Sequence, residues 1–151
     1  MEREEQKEMA KRILVPLDRS EASRSVLPMV ADMARGSGGT VRLLHVAPIP
    51  TERVGDDGRV VAYVNQEMER IEYSRLDYLR GAEAGLEGVP VESVVRFGDP
   101  AEEIVREADA FDADLIAVTT EDRGWFGHLM GGVADRVFHK ADVPVLMLGK
   151  K

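Results

Sequence analysis

Five short apolar runs punctuate the chain, Ile13 to Leu17, Val41 to Val46, Val89 to Val95, Leu115 to Thr119 and Val143 to Leu148. Each is continuous rather than alternating, as in strands covered on both faces of a parallel sheet. Between them, apolar residues recur at helical spacing. The first such segment, about Ser20 to Arg35, puts Val26, Val30 and Met33 on one face and leads into Gly36, Gly38 and Gly39, residues suited to a helix C-terminus and a tight turn. Pro28 lies inside it. An interior proline costs about 3 kcal/mol unless the helix bends, so a kink is predicted there. A second helix is predicted over about Asn65 to Ala84, with Met68, Ile71, Leu76 and Leu79 as its stripe. The third has Asp99 as N-cap, Pro100 at the first helical position and Glu102 where a capping box needs it. A fourth covers about Leu129 to Lys140 and offers Val133, Val137 and Phe138 to the core.

Strict alternation of strand and helix predicts a single doubly wound α/β domain, its parallel strands joined by right-handed crossovers with helices on both faces. Residues 1–10 read as a polar N-terminal tail and 11–151 as the domain. Pro90 and Pro144 stand at strand entrances, where a missing N–H does least harm. Pro16 is less comfortable, near the exit of a central strand. The longest irregular stretch, Ala47 to Tyr63, reads as a mobile loop within the domain.

Charge and composition narrow the function. A chain of 151 residues can hide about 70% of its unfolded surface without a staple. Its 28 acidic against 20 basic residues, net −8, argue against nucleic acid or an anionic membrane surface as partner. Six carboxylates against Arg106 alone fall between 101 and 114, and they read as a solvated face. The absence of cysteine removes disulfides, thiolate catalysis and Cys-based metal sites. The N-terminus lacks the apolar core of a signal peptide, and no apolar stretch approaches the ~20 residues that span a bilayer. A soluble, cytoplasmic protein is expected.

Ligands of open α/β sheets sit at the carboxyl ends of strands where the strand order reverses. Two strand exits carry suggestive residues. In Leu17-Asp18-Arg19-Ser20, Asp18 either accepts hydrogen bonds from a ligand or caps the following helix. The run Thr119-Thr120-Glu121-Asp122-Arg123-Gly124-Trp125-Phe126-Gly127 leads into Gly131-Gly132-Val133-Ala134. The paired glycines belong at a helix start, with free amides suited to an anion or simply as a glycine loop. Trp125 and Phe126 either cap a ligand, meet a partner or fold back onto the sheet. His45 reads as a packed strand-end residue, and His128 and His139 have no ligand spacing, so no metal site is expected.

Ile13-Leu14-Val15-Pro16-Leu17-Asp18 followed by Ser20-Glu21-Ala22-Ser23 resembles the opening of the universal stress protein family. Leu43-Leu44-His45-Val46, Gly98-Asp99-Pro100-Ala101-Glu102-Glu103-Ile104, Ala113-Asp114-Leu115-Ile116, Gly131-Gly132-Val133-Ala134 with Val137, and Val143-Pro144-Val145-Leu146 resemble its later blocks, in order, over about residues 11 to 149. The resemblance implies a five-stranded parallel sheet in the order 3-2-1-4-5, with its switch point between strands one and four. ATP-binding members carry G-x2-G-x9-G-[ST] after strand four. Here Thr119 and Asp122 stand at the first two glycines, Gly132 replaces the hydroxyl residue, and eight residues rather than nine separate Asp122 from Gly131. Asp122 beside Glu121 would repel a triphosphate, which Arg123 offsets only if it points inward.

By the same resemblance, Asp18 would face the adenine or ribose, with Pro16 and Leu17 lining the base and Val46 and Ala47 near it. The implied binding set is Pro16, Leu17, Asp18, Val46, Thr119, Thr120, Arg123, Gly124, Gly131, Gly132 and Val133, with no catalytic residue and no metal ligand. The last strand (Val143, Val145, Leu146, Met147, Leu148) has no charged guard before Lys150, and family members commonly dimerise through it. The leading expectation is a non-enzymatic regulatory homodimer of the stress response with a degenerate nucleotide loop. The alternative is an adenine-nucleotide module taking ATP or AMP between strands one and four. A slow ATPase stands last, since there is no Ser-His-Asp arrangement and no P-loop Gly-Lys-[Ser/Thr].

Overall fold

A computed structural model describes residues 11–51, 53–119 and 132–148. In chain order the elements are β1 (Arg12–Pro16), α1 (Glu21–Arg24), α2 (Leu27–Ser37), β2 (Thr40–Ala47), β3 (Arg53–Val54), β4 (Val60–Ala62), α3 (Val64–Ala82) with a 3-10 turn (Glu83–Leu86), β5 (Val91–Phe97), α4 (Pro100–Phe111), β6 (Leu115–Thr119), α5 (Val133–Lys140) and β7 (Val145–Leu148). Five strands form one parallel sheet in the order β5-β2-β1-β6-β7, the expected 3-2-1-4-5 once the small hairpin is set aside.

Strand residues alternate between two cores, as the period of two requires. Ile13, Val15, Leu17, Val41 and Leu43 pack with α2 and α3. Leu14, Leu44, Val46, Ile116 and Val118 pack with α4 and α5. Both faces of the sheet are thus covered, which is why the strands read as unbroken apolar runs. Among the described residues no helix is long and apolar enough to cross a membrane.

Several boundaries differ from expectation for identifiable reasons. The first helix is broken rather than kinked: α1 ends at Arg24, and α2 restarts with Val26 as N-cap and Pro28 in its first turn. There the absent N–H is no loss. Gly38, at φ 68°, closes α2 in the left-handed conformation, its N–H on the Ala34 carbonyl. The stretch 47–63 is not wholly irregular. Val54 pairs with Val60 across an Asp57-Gly58 turn, with Gly58 at φ 81°, to make the antiparallel β3–β4 hairpin. The third and fifth sheet strands begin after their prolines, at Val91 and Val145, not at Val89 and Val143. Within the described residues α5 starts at Val133. Phe138 is 50% exposed rather than buried.

Part of the acidic segment is also inside. Glu107 of α4 accepts from Arg42 Nη1 of β2 at 2.5 Å and from Arg96 Nη1 of β5 at 2.7 Å, while Glu103 accepts from Arg96 Nε at 2.9 Å and from Arg106. The Arg42 guanidinium also pairs with Glu92 and lies 4.3 Å from the Phe111 ring centre. These carboxylates tie α4 to two strands instead of facing solvent. Asp99 caps α4 as predicted, accepting from the Glu102 amide at 3.0 Å, but the Glu102 carboxylate lies 4.0 Å from Lys140 Nζ rather than on the Asp99 amide.

Candidate functional site

The place where ligands gather in this topology is the junction of β1 and β6, and its opening traces to one residue. Leu17 donates its N–H to Leu44 of β2 at 2.8 Å. Successive residues face alternate neighbours, so the nitrogen of Pro16 points toward β6, and it has no hydrogen to give. The β1–β6 ladder accordingly ends at Ile13↔Leu115 and Leu14↔Ile116, although β1 runs to Pro16 and β6 to Thr119. The proline that sat awkwardly in the sequence marks where the two strands part.

At the mouth of this gap the chain turns tightly. Asp18 Oδ1 accepts from the Ser20 N–H at 2.9 Å and the Ser20 hydroxyl at 2.5 Å, and the Asp18 N–H donates to Ser23 Oγ at 3.2 Å. Ser23 returns its own N–H to Ser20 Oγ and its hydroxyl to the Ser20 carbonyl, both at 3.0 Å. Asp18 therefore organises the entry into α1, the capping alternative of the two left open by the sequence. Arg19, exposed between them, takes the left-handed conformation at φ 75° that this turn imposes.

His45 closes the wall on the β2 side. It is 3% exposed, and its Nδ1 lies 2.8 Å from the Leu17 carbonyl oxygen. Burial pushes its pKa down to about 4, helped by Arg75 and Arg19 and opposed by the Leu17 hydrogen bond and Asp18. The imidazole is neutral at pH 7, and Nδ1 is the donor.

The remaining expected site residues divide clearly. Pro16, Leu17 and Val46 are buried in the walls, and Leu17 and Val46 belong to the two cores on opposite faces of the sheet. Thr119 is buried too, its hydroxyl donating to the Leu148 carbonyl of β7 at 3.0 Å. Gly132 is the N-cap of α5 at φ −63°, ψ 175°, followed by half-buried Val133. Thr120, Arg123, Gly124 and Gly131, with Glu121, Asp122, Trp125 and Phe126, lie outside the described residues.

Two residues absent from the expected set stand here. Arg75 and Tyr78, one turn apart on α3, face the β1 exit. The Arg75 Nε is buried with no hydrogen-bond partner among the described residues. Burial, Arg19 and Arg70 together hold the Arg75 pKa below its ordinary value. Desolvation raises that of Tyr78, whose ring lies 5.6 Å from the Arg24 guanidinium. The signal in the sequence was a charge on an apolar stripe: Arg75 falls at the helical spacing set by Met68, Ile71 and Leu79.

Comparison with known proteins agrees with this architecture. Residues 9–149 match the model of the Universal stress protein family. A universal stress protein of Methanothermobacter thermautotrophicus is 40% identical over 70 residues, 43% of this chain and 48% of that protein, so this match spans about half of the relative's length. A Thermus aquaticus protein, the universal stress protein in the QAH/OAS sulfhydrylase 3' region, is 28% identical over 143 residues, 93% of this chain and 99% of its own. Among solved structures, a hypothetical protein used as a structural-genomics test of function assignment superposes with a TM-score of 0.77 at 26% identity, covering 95% of this chain and 98% of that one. The universal stress protein of Archaeoglobus fulgidus in complex with dAMP gives 0.58 at 25% identity, over 90% and 95%.

Proposed function

The chain belongs to the universal stress protein family, and we propose that it is a non-enzymatic regulatory member whose β1–β6 cleft takes an adenine mononucleotide. The observation that carries this is the parting of β1 from β6 at Pro16, with the Asp18 turn at its mouth. The base half of the pocket is assembled from Leu17, Asp18 and the end of β2, and an Archaeoglobus fulgidus relative was solved with dAMP. The departures from the ATP motif all fall on the loop that, by the family resemblance, meets the outer phosphates, where Asp122 and Glu121 would disfavour a triphosphate more than a monophosphate. Against an enzymatic role, burial makes His45 a weak base, and Asp18 is engaged with Ser20.

AMP titrated with and without magnesium should change the emission of Trp125, the single tryptophan, saturably and raise the melting temperature. Neither change at millimolar AMP would overturn the reading. Asp122→Gly should tighten ATP more than AMP.

A homodimer through β7 is the second part of the proposal. β7 is an edge of the sheet, and because Pro144 O accepts from Ile116 of β6, alternation turns the N–H groups of Val145 and Met147 outward. The side chains of β7 are half-buried, so a charge there would also damage the core. Met147→Pro removes one outward donor instead. Light scattering should then report a monomer, and an unchanged dimer mass would exclude this edge.

A further inference from the structure

We propose that Arg75, with Arg19 beside it, forms an anion subsite at the carboxyl end of β1 that receives the phosphoryl group of a phosphate monoester. Arg75 is held on the apolar stripe of α3, and its Nε–H is buried without an acceptor among the described residues. Buried donors in native proteins are nearly always paired, so an unpaired guanidinium N–H points to an acceptor that joins from solution. The charges around it agree in sign. Arg19 from the β1 exit and Arg70 from the preceding turns of α3 act on Arg75, and both disfavour its charged form. Arg70 is compensated by Glu67 at 2.6 Å. Arg75 itself makes no such pair among the described residues.

A chain of net charge −8 thus gathers two arginines at one end of its central strand, with Asp18, engaged with Ser20, as the carboxylate nearby. Two guanidinium groups suit a dianion better than a carboxylate, and their fork geometry matches phosphate oxygens. The subsite is on the α2 and α3 face of the sheet, because His45, which feels both Arg75 and Arg19, is an odd-numbered β2 residue like Val41 and Leu43 of that core. It is therefore on the opposite face of the sheet from α5, whose Ala134 and Val137 belong to the other core. The phosphate can arrive on a nucleotide or free in solution. Only the identity of its carrier rests on the adenine reading above.

The test uses the full chain labelled with 15N and three probes: inorganic phosphate, AMP and adenosine. The Arg75 Nε–Hε resonance should shift saturably with AMP, and with inorganic phosphate at higher concentration, but not with adenosine. By calorimetry, Arg75→Met should weaken AMP at least tenfold and leave adenosine unchanged, and Arg19→Gln should weaken AMP less. Arg59→Gln, an exposed hairpin arginine, should do nothing. An Arg75 resonance unmoved by both phosphate and AMP would overturn the subsite without any variant. AMP binding unaltered by Arg75→Met would overturn it while leaving the adenine reading intact. Phosphate shifting Arg75 while adenosine and AMP show no adenine-dependent binding would uphold the subsite and remove the adenine reading.

Discussion

The His45 Nδ1 donates to the Leu17 carbonyl at 2.8 Å, joining the end of β2 to the exit of β1 through a side chain where the backbone ladder has ended. Either protonation state of the ring could donate from Nδ1, and it is burial that disfavours the charged one. Unfolded, His45 takes a proton near pH 6.5; folded, only near 4. Between those values the unfolded state binds more protons, so stability rises with pH across the window and is lost on acidification. The loss should reach about 3 kcal/mol at pH 4. His45→Asn keeps a donor near the Nδ1 position and does not titrate, so urea unfolding between pH 4 and 7 should show a flatter slope for the variant. Equal slopes would mean the ring is not the titrating group.

Glu107 should be the most sensitive carboxylate in the chain. Its side chain is 4% exposed and answers two arginines from different strands. Removing one member of a buried ionic set leaves uncompensated charge and costs about 3 kcal/mol or more. Glu107→Gln should lower the urea midpoint accordingly. Glu102→Gln, on an exposed carboxylate 4.0 Å from Lys140, should stay within about 0.5 kcal/mol.

Asp99 combines a helix cap with a bidentate pair, Arg136 Nη1 to Oδ1 at 3.2 Å and Nη2 to Oδ2 at 2.8 Å. Partial burial alone would raise its pKa, but the Glu102 amide and Arg136 outweigh this and hold it below the usual value. Its stabilisation is present above pH 3.8 and disappears below, under the His45 window. Asp99→Ala should cost about 1 to 2 kcal/mol, mostly the cap, since the pair is about one-third exposed. Asp99→Asn keeps the cap and should cost less than half as much in thermal unfolding.

Pro16→Ala restores a donor facing β6. Relaxing the unfolded chain costs about 0.4 to 1 kcal/mol, and a new ladder bond returns a similar amount, so stability should hardly move. The amide introduced at position 16 should be protected in hydrogen exchange, and AMP should bind more weakly as the strands close. Rapid exchange of that amide with unchanged AMP binding would show that the proline does not set the opening.

The alternation of strands and helices, the covering of the sheet on both faces and the Asp99 cap were legible in the sequence because each depends on local pattern: continuous apolar runs, helical spacing, one capping residue; the strand order came only with the family resemblance. The hairpin was not, since strands of two and three residues are too short to establish a period. Glu103 and Glu107 looked solvated because their partners Arg42 and Arg96 are brought to them by sheet register, which no window along the chain reveals. Asp18 could be narrowed to two roles, and hydrogen bonds to Ser20 were needed to see the turn it holds. Arg75 left only the trace of a charge on an apolar stripe. Its significance depends on Arg19, 56 positions away.

The Asp99–Arg136 clamp also fixes the ends of a circuit 37 positions long that contains residues 120–131. Closure entropy grows only with the logarithm of length, so adding or removing one residue in that circuit changes folding free energy by about 0.02 kcal/mol. Folding is all but blind to whether eight or nine residues separate Asp122 from Gly131. Selection on the length of that segment can act only through what it contacts, which leaves it free to diverge while the scaffold around it stays the same.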